Sequence, residues 1–187
     1  MTRTRYVAQA GVIAAVHVTL SFITMQTLTV FSWGPIQFRL SEAFTVIACF
    51  TPAAIPGLTL GTAMANLTNL TVLGPLALLD VVFGSCATAI GAMWTWRFRQ
   101  KRALALAGPV VANALIVPAY LPWLLKGLGL YQIPALGINL EQSWLGMYLF
   151  GVVAVGVGEA FVVYGLGWPL LAALDRLGLR EVLKREA

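Results

Sequence analysis

The chain predicts an all-α integral membrane protein, a bundle of six transmembrane helices in one domain spanning residues 1–187, with N- and C-termini on the cytoplasmic side. Three observations predict it. The chain is 59% hydrophobic and 10% charged, whereas a soluble domain carries charge on about a quarter of its residues. Its apolar residues fall into six runs, and at about 20 residues per crossing 187 residues hold roughly six spans and little else. The basic residues are grouped. Arg3 and Arg5 precede the first run, Arg97, Arg99, Lys101 and Arg102 interrupt the middle, and Arg176, Arg180, Lys184 and Arg185 close the chain. An even number of crossings puts these three groups on one side, which the positive-inside rule makes the cytoplasm. The net charge of +5 therefore reports topology and argues against a nucleic-acid partner.

Breakers between the apolar runs set the elements in order. The first helix is expected over about residues 6–25, and it is not read as a cleaved signal because it runs through Phe22 without an A-x-A-like site. The second and third, over about 40–50 and 56–70, are short for a full crossing. Between them lies TPAAIP, whose two prolines do not fit inside one helix, so the pair is two short tilted helices or one broken hairpin. The fourth, fifth and sixth follow over about 76–96, 104–125 and 144–174. This topology places GPIQF, TVLGP and KGLGLYQIPALGINLEQS outside. The last is long and rich in Gly and Pro, either an ordinary connector or a lid over a polar cavity.

Small residues recur at the four-residue spacing that lets helix backbones approach in lipid. They are Ala10 with Ala14 and Gly11 with Ala15 in the first helix, Gly57, Gly61 and Ala65 in the third, and Ala154 with Gly158 in the sixth. Packing within the bundle accounts for most. The first helix, which past Tyr6 has only His17 as an ionisable group, is the candidate for a face turned to another subunit.

The acids locate the chemistry. Asp175, Glu181 and Glu186 lie towards the tail and Glu141 in an outer loop, which leaves Glu42, Asp80 and Glu159 at helical depth against one strong base, Arg39. Ionisable groups in a bilayer are costly and usually face the bundle interior, so these are functional candidates. Glu42 and Asp80 stand near the outer starts of their helices, and Asn66 and Asn69 at the outer end of theirs. At about 1.5 Å per residue, Asn113 and Glu159 stand roughly 15–20 Å from their helix starts. Arg39 and Glu42, three apart at a helix start, are either an ion pair or a ligand contact beside the helix dipole. A surplus of carboxylates and amides, closed by aromatics such as Phe38, Trp144 or Tyr148, suits a planar solute rich in N–H donors, including a cation. The first candidates for contact are Glu42, Asp80, Asn113 and Glu159; Arg39, Gln37 and Asn66 support them.

Other residues carry less. His17 is a proton relay or a packing residue; it is not a metal ligand, because no His or Cys stands at helical spacing from it. Cys49 and Cys86 read as small buried side chains. The tail DRLGLREVLKREA is amphipathic and suits an anionic leaflet, a cytoplasmic partner or plain solvent. No G-x-x-x-x-G-K-[ST] phosphate loop occurs and no half of the chain duplicates the other. A binding subunit is therefore favoured over a complete pump; the rivals are a stand-alone proton-coupled carrier using Asp80 or Glu159, and a structural subunit with no solute.

The blocks GPIQFRLSEAFTV, FTPAAIPGLTLGTAMANL, LLDVVFGSCAT, VVANALIV and VGVGEAFVVYGLGWPLL, in this order along nearly the whole chain, resemble the QueT family of queuosine-precursor transporters. That resemblance implies the substrate-binding component of an energy-coupling-factor importer in the plasma membrane of a prokaryote. It implies no enzyme activity and no cofactor in this chain, ATP being used by two cytoplasmic ATPase partners joined through a transmembrane scaffold subunit. It also implies that Ala10 and Ala14 dock on that scaffold, and that the solute is a 7-deazaguanine such as the aminomethyl precursor of queuosine.

Overall fold

A computed structural model of the chain describes residues 2–27, 39–125, 131–133, 138–141 and 143–185. Helix α1 covers Arg3–Thr27, α2 covers Leu40–Cys49 and α3 covers Ala54–Leu67. A single turn, Leu70–Leu73, leads into α4, which runs over Gly74–Arg97. Next come α5 (Arg102–Leu125), a two-residue antiparallel ladder of β1 (Gln132–Ile133) and β2 (Ile138–Asn139), α6 (Trp144–Arg176) and α7 (Leu179–Arg185). The expected runs are recovered with ends displaced by up to about a turn, as hydropathy alone locates a helix better than its caps.

Among the described residues, four helices are long and apolar enough to cross a membrane: Arg3–Thr24 of α1, Gly74–Arg97, Arg102–Leu124 of α5 and Trp144–Arg176. The pair α2 and α3 is shorter. Helix α2 is a ten-residue 3-10 helix and α3 has 14 residues, so each reaches about 20 Å against a hydrocarbon core of about 30 Å. The chain between them carries Pro52 and Pro56, and there the Thr51 hydroxyl accepts the Ala53 N–H at 3.3 Å. Helix α2 lies inside the protein, with eight of its ten residues buried, whereas α3 turns Leu60, Met64 and Leu67 outward. Enclosure lets an element too short to span remain at membrane depth.

The small-residue row of α1 has an internal partner. A Cβ on Gly57 would lie 2.7 Å from the Ala10 carbonyl oxygen, and one on Gly61 would lie 3.0 Å from that of Ala14. Two matched rows thus bring α1 and α3 into backbone contact. Ala10 and Ala14 are buried by this packing within the chain. The outward row is Gly11 and Ala15, both exposed.

Among the described residues the larger of two apolar cores lies towards the end of the bundle that carries the basic clusters; the second, with Val117, Leu121, Met147 and Val155, lies along α5 and α6. Ile13, Val46, Ile47, Phe50, Leu58, Leu106, Val163 and Leu171 form one buried core, with Leu179 and Leu183 of α7 against it. There Asp175 of α6 accepts from Arg102 of α5 at 2.6 Å and from Arg180 at 2.8 Å. Arg180 also lies over the Phe50 ring, 5.1 Å from its centroid. Cys49 is buried as expected, whereas Cys86 is exposed. The helices α4 and α6 are each locally wound as π-helix, over Asp80–Gly84 and Phe161–Gly167. Such widened turns often mark functional positions, and these lie beside two of the three acids at depth.

Candidate functional site

Arg39 stands just before α2 in an extended conformation, with φ −98° and ψ 96°. Its carbonyl accepts the Glu42 N–H at 2.9 Å and starts the helix. Its side chain goes elsewhere. The guanidinium lies 3.7 Å from Oδ2 of Asp80 on α4, so its ion pair crosses between elements instead of closing onto Glu42. The i, i+3 face of an α-helix does not exist here, because Arg39 precedes the helix and α2 is wound as 3-10.

Asp80 is gripped from several sides. The Tyr120 hydroxyl of α5 donates to Oδ1 at 2.6 Å, and Asn69 Nδ2 donates to Oδ2 at 3.2 Å. Asn66 Nδ2 donates to the Asp80 backbone carbonyl at 2.8 Å. Gly84 makes this approach possible, since a Cβ there would lie 2.8 Å from Asn66 Nδ2 and 3.1 Å from Asp80 Oδ1. Tyr120 was not among the residues the sequence singled out. It stands seven residues after Asn113, two helical turns along the same face, and that spacing is the signal that could have found it.

Glu159 is buried on α6 and accepts from Asn113 Nδ2 of α5 at 3.0 Å. Glu42 is 2% exposed, and its Oε2 has no hydrogen-bond partner. Glu159 lies within electrostatic reach of both Glu42 and Arg39. Arg39, Asn113, Glu159, Val117 and Val155 line a narrow cavity of about 10 Å³ between α5, α6 and the start of α2, room for about one water. The structure thus gathers Arg39, Glu42, Asn66, Asp80, Asn113 and Glu159. Gln37 and Phe38 lie outside the described residues, as does most of the segment expected to be a lid or connector. Trp144 and Tyr148 stack on each other with centroids 5.3 Å apart and are not among the cavity residues.

A polar chain extends the network. Thr62 donates to Thr88 at 3.1 Å, and Thr88 donates to the Gly84 carbonyl at 3.2 Å. The single hydroxyl hydrogen of Thr62 is therefore used, and its contact with His17 Nε2 at 3.1 Å assigns the donor to the histidine. That leaves His17 Nδ1 as a buried acceptor without a partner. Asn69 Oδ1 is another. With Glu42 Oε2, three buried acceptors around the Arg39–Asp80 pair await donors, and an unmet buried polar group calls for an explanation. Among the described residues, no group of three or more His, Cys, Asp and Glu is placed to hold a metal ion.

A membrane bundle with an acid-rich, acceptor-rich hollow is the equipment of a carrier of small solutes. No curated protein and no solved structure matches the chain. The QueT transporter family matches it over residues 7–176 of 187, so the chain belongs to the QueT transporter family and is a membrane transport protein.

Proposed function

We propose that the chain is the substrate-capturing component of an energy-coupling-factor importer. It takes a queuosine precursor or a related 7-deazaguanine from outside and delivers it inward with a transmembrane scaffold subunit and two cytoplasmic ATPases. The observation that carries this reading is Glu42, a buried carboxylate with a free oxygen, beside Glu159, where the one nearby base is already matched by Asp80. A guanine-type edge offers two parallel N–H donors to one carboxylate, and an aminomethyl group offers a cation to the other. An anionic solute would meet surplus carboxylate on entry. The cavity of about 10 Å³ holds about one water, so in this reading the helices that line it part to seat the solute.

In this reading the chain crosses the plasma membrane of a prokaryote six times, with α2 and α3 as the two short crossings. Both termini are cytoplasmic, as the grouped basic residues favour. Because Ala10 and Ala14 are covered by α3, the face of α1 offered to the scaffold is the one that carries Gly11 and Ala15. The test is calorimetric titration of the purified chain with aminomethyl-7-deazaguanine, guanine and a thiamine-like cation, repeated with Glu42→Gln and Glu159→Gln. Preferential binding of the deazaguanine, weakened at least about tenfold by Glu42→Gln, is expected from loss of a charge-assisted hydrogen bond. Equal affinity for all three solutes, or indifference to both substitutions, would sink it. Uptake by vesicles that contain this chain alone, driven by a proton gradient, would favour the stand-alone carrier.

A further inference from the structure

Helix α6 has 33 residues, about 50 Å at 1.5 Å per residue, against about 30 Å of hydrocarbon and about 40–45 Å with the headgroups. Its aromatics mark where the hydrocarbon ends. Tyr148 stacks on the exposed Trp144 near the start of the helix, and the exposed Trp168 stands twenty residues beyond Tyr148, about 30 Å farther along. Aromatic side chains gather at both membrane interfaces. Residues 169–176, beyond Trp168, therefore stand at headgroup depth, at the end of the bundle that carries the basic clusters.

At that depth Pro169, Ala172, Ala173, Arg176 and Leu177 line a groove of about 490 Å³. Leu177 is 78% exposed, whereas Leu179 and Leu183 pack back against the core. The groove is apolar apart from one guanidinium. A helical side chain leans towards the N-terminus of its helix, which carries Arg176 over the turn of Ala172 and Ala173. The acid next to it, Asp175, is already shared by Arg102 and Arg180. Glu181 of α7 does not take its place, and among the described residues the Arg176 guanidinium has no ion-pair or hydrogen-bond partner. Arg102, Arg176 and Arg180 outnumber Asp175 and Glu181, so this surface is left with a cation to match.

We propose that this groove binds an anionic phospholipid, with an acyl chain along Pro169, Ala172, Ala173 and Leu177 and the phosphate on Arg176. The guanidinium fork matches a phosphate in two parallel N–H bonds, and a cation at headgroup depth attracts anionic lipid. A zwitterionic lipid brings a second cation to a surface that already has a surplus. An anionic one brings only the charge that is missing. The site lies apart from the solute cavity, and its occupant does not depend on what the cavity takes.

The test melts the purified chain, stripped of lipid in a neutral detergent, with phosphatidylglycerol or with phosphatidylcholine of the same acyl chains. Phosphatidylglycerol is expected to raise the melting temperature by about 3 °C or more above phosphatidylcholine. Arg176→Gln should abolish that excess, and Arg3→Gln, which removes the same charge from α1, should keep it. Ala173→Phe fills the groove with every charge in place and should abolish it too. All three positions are exposed, so the fold survives the substitutions. Equal stabilisation by the two lipids, an equal loss in Arg3→Gln, or an excess that outlasts Ala173→Phe would each overturn the proposal. So would a parent dimer in size-exclusion chromatography that Ala173→Phe disperses, since a second copy of the chain would then fill the groove.

Discussion

The two ends of the bundle are built from the same helices on opposite principles. Towards the basic clusters, α2, α3, α5 and α6 bury Val46, Leu58, Leu106 and Leu171, all at 0% exposure. Farther along, the same four elements and α4 bury Glu42, Asn66, Asn113, Glu159 and Asp80. The first region gains from every contact. The second carries acceptors without partners, a burden that a chain selected for stability alone would shed by substituting apolar side chains. The difference fits two jobs along the helix axis under the proposed function: one end packs the bundle, and the other keeps unmet acceptors that a solute would complete.

The sharpest way to break this comparison is to damage the apolar end. Leu106→Ala opens a cavity in a fully packed core and is expected to cost about 2–5 kcal/mol. Affinity per folded molecule should stay unchanged. Thermal melting in detergent, paired with titration of the folded fraction, measures both quantities. If solute affinity fell as steeply as stability, the two ends would be one cooperative unit and the separation would be wrong.

Asp80→Ala comes next. It leaves Arg39, Tyr120 and Asn69 without their shared acceptor. Breaking a buried pair costs about 3–5 kcal/mol, and the lower figure applies because the Arg39 side chain is 26% exposed. Unlike the first substitution, this one should also abolish binding. Arg39, released from α4, has Glu42 and Glu159 within electrostatic reach and would neutralise the surplus that seats the solute. Preserved affinity in Asp80→Ala would show that Arg39 is not held away from the solute by Asp80.

Both outcomes bear on what the residues alone made legible. The helices were legible because each is an uninterrupted apolar run, and the depth of Asn113 and Glu159 followed from the rise per residue. The structure joins that pair at 3.0 Å. The partner of Arg39 was not legible, since sequence spacing described an α-helical face that a 3-10 helix lacks, and the choice between Glu42 and Asp80 is made by tertiary packing. Nor was the partner of the Ala10 and Ala14 row. The clue was the row of identical spacing at Gly57 and Gly61, which reads equally well as contact within a chain or between chains. Tyr120 was passed over because a tyrosine amid apolar residues looks like filling until its hydroxyl is traced.

A milder perturbation sharpens the boundary between the two ends. Thr62→Val removes the acceptor of His17 Nε2–H and the donor to Thr88 while keeping the volume. The cost should be about 1–3 kcal/mol, that of an unmet buried donor. His17→Phe in the same background tests the cause, because with no donor left unmet the second substitution should recover part of the loss. No recovery would place the cost in packing.

The smallest effect belongs to the ionic contacts at the basic end. Arg102 is about half exposed and shares Asp175 with Arg180, so Arg102→Ala leaves Asp175 with a partner. A pair of this kind contributes at most about 1 kcal/mol and is screened by salt. The expected result is a small drop in melting temperature at low ionic strength that vanishes at about 1 M salt, with solute affinity unaffected throughout. A larger, salt-independent loss would mean that Arg102 and Asp175 fasten α5 to α6 as firmly as the Leu106 core does. The stability of the basic end would then be electrostatic as much as apolar, and its contrast with the acid-rich end would rest on whether charges are paired, not on whether they are present.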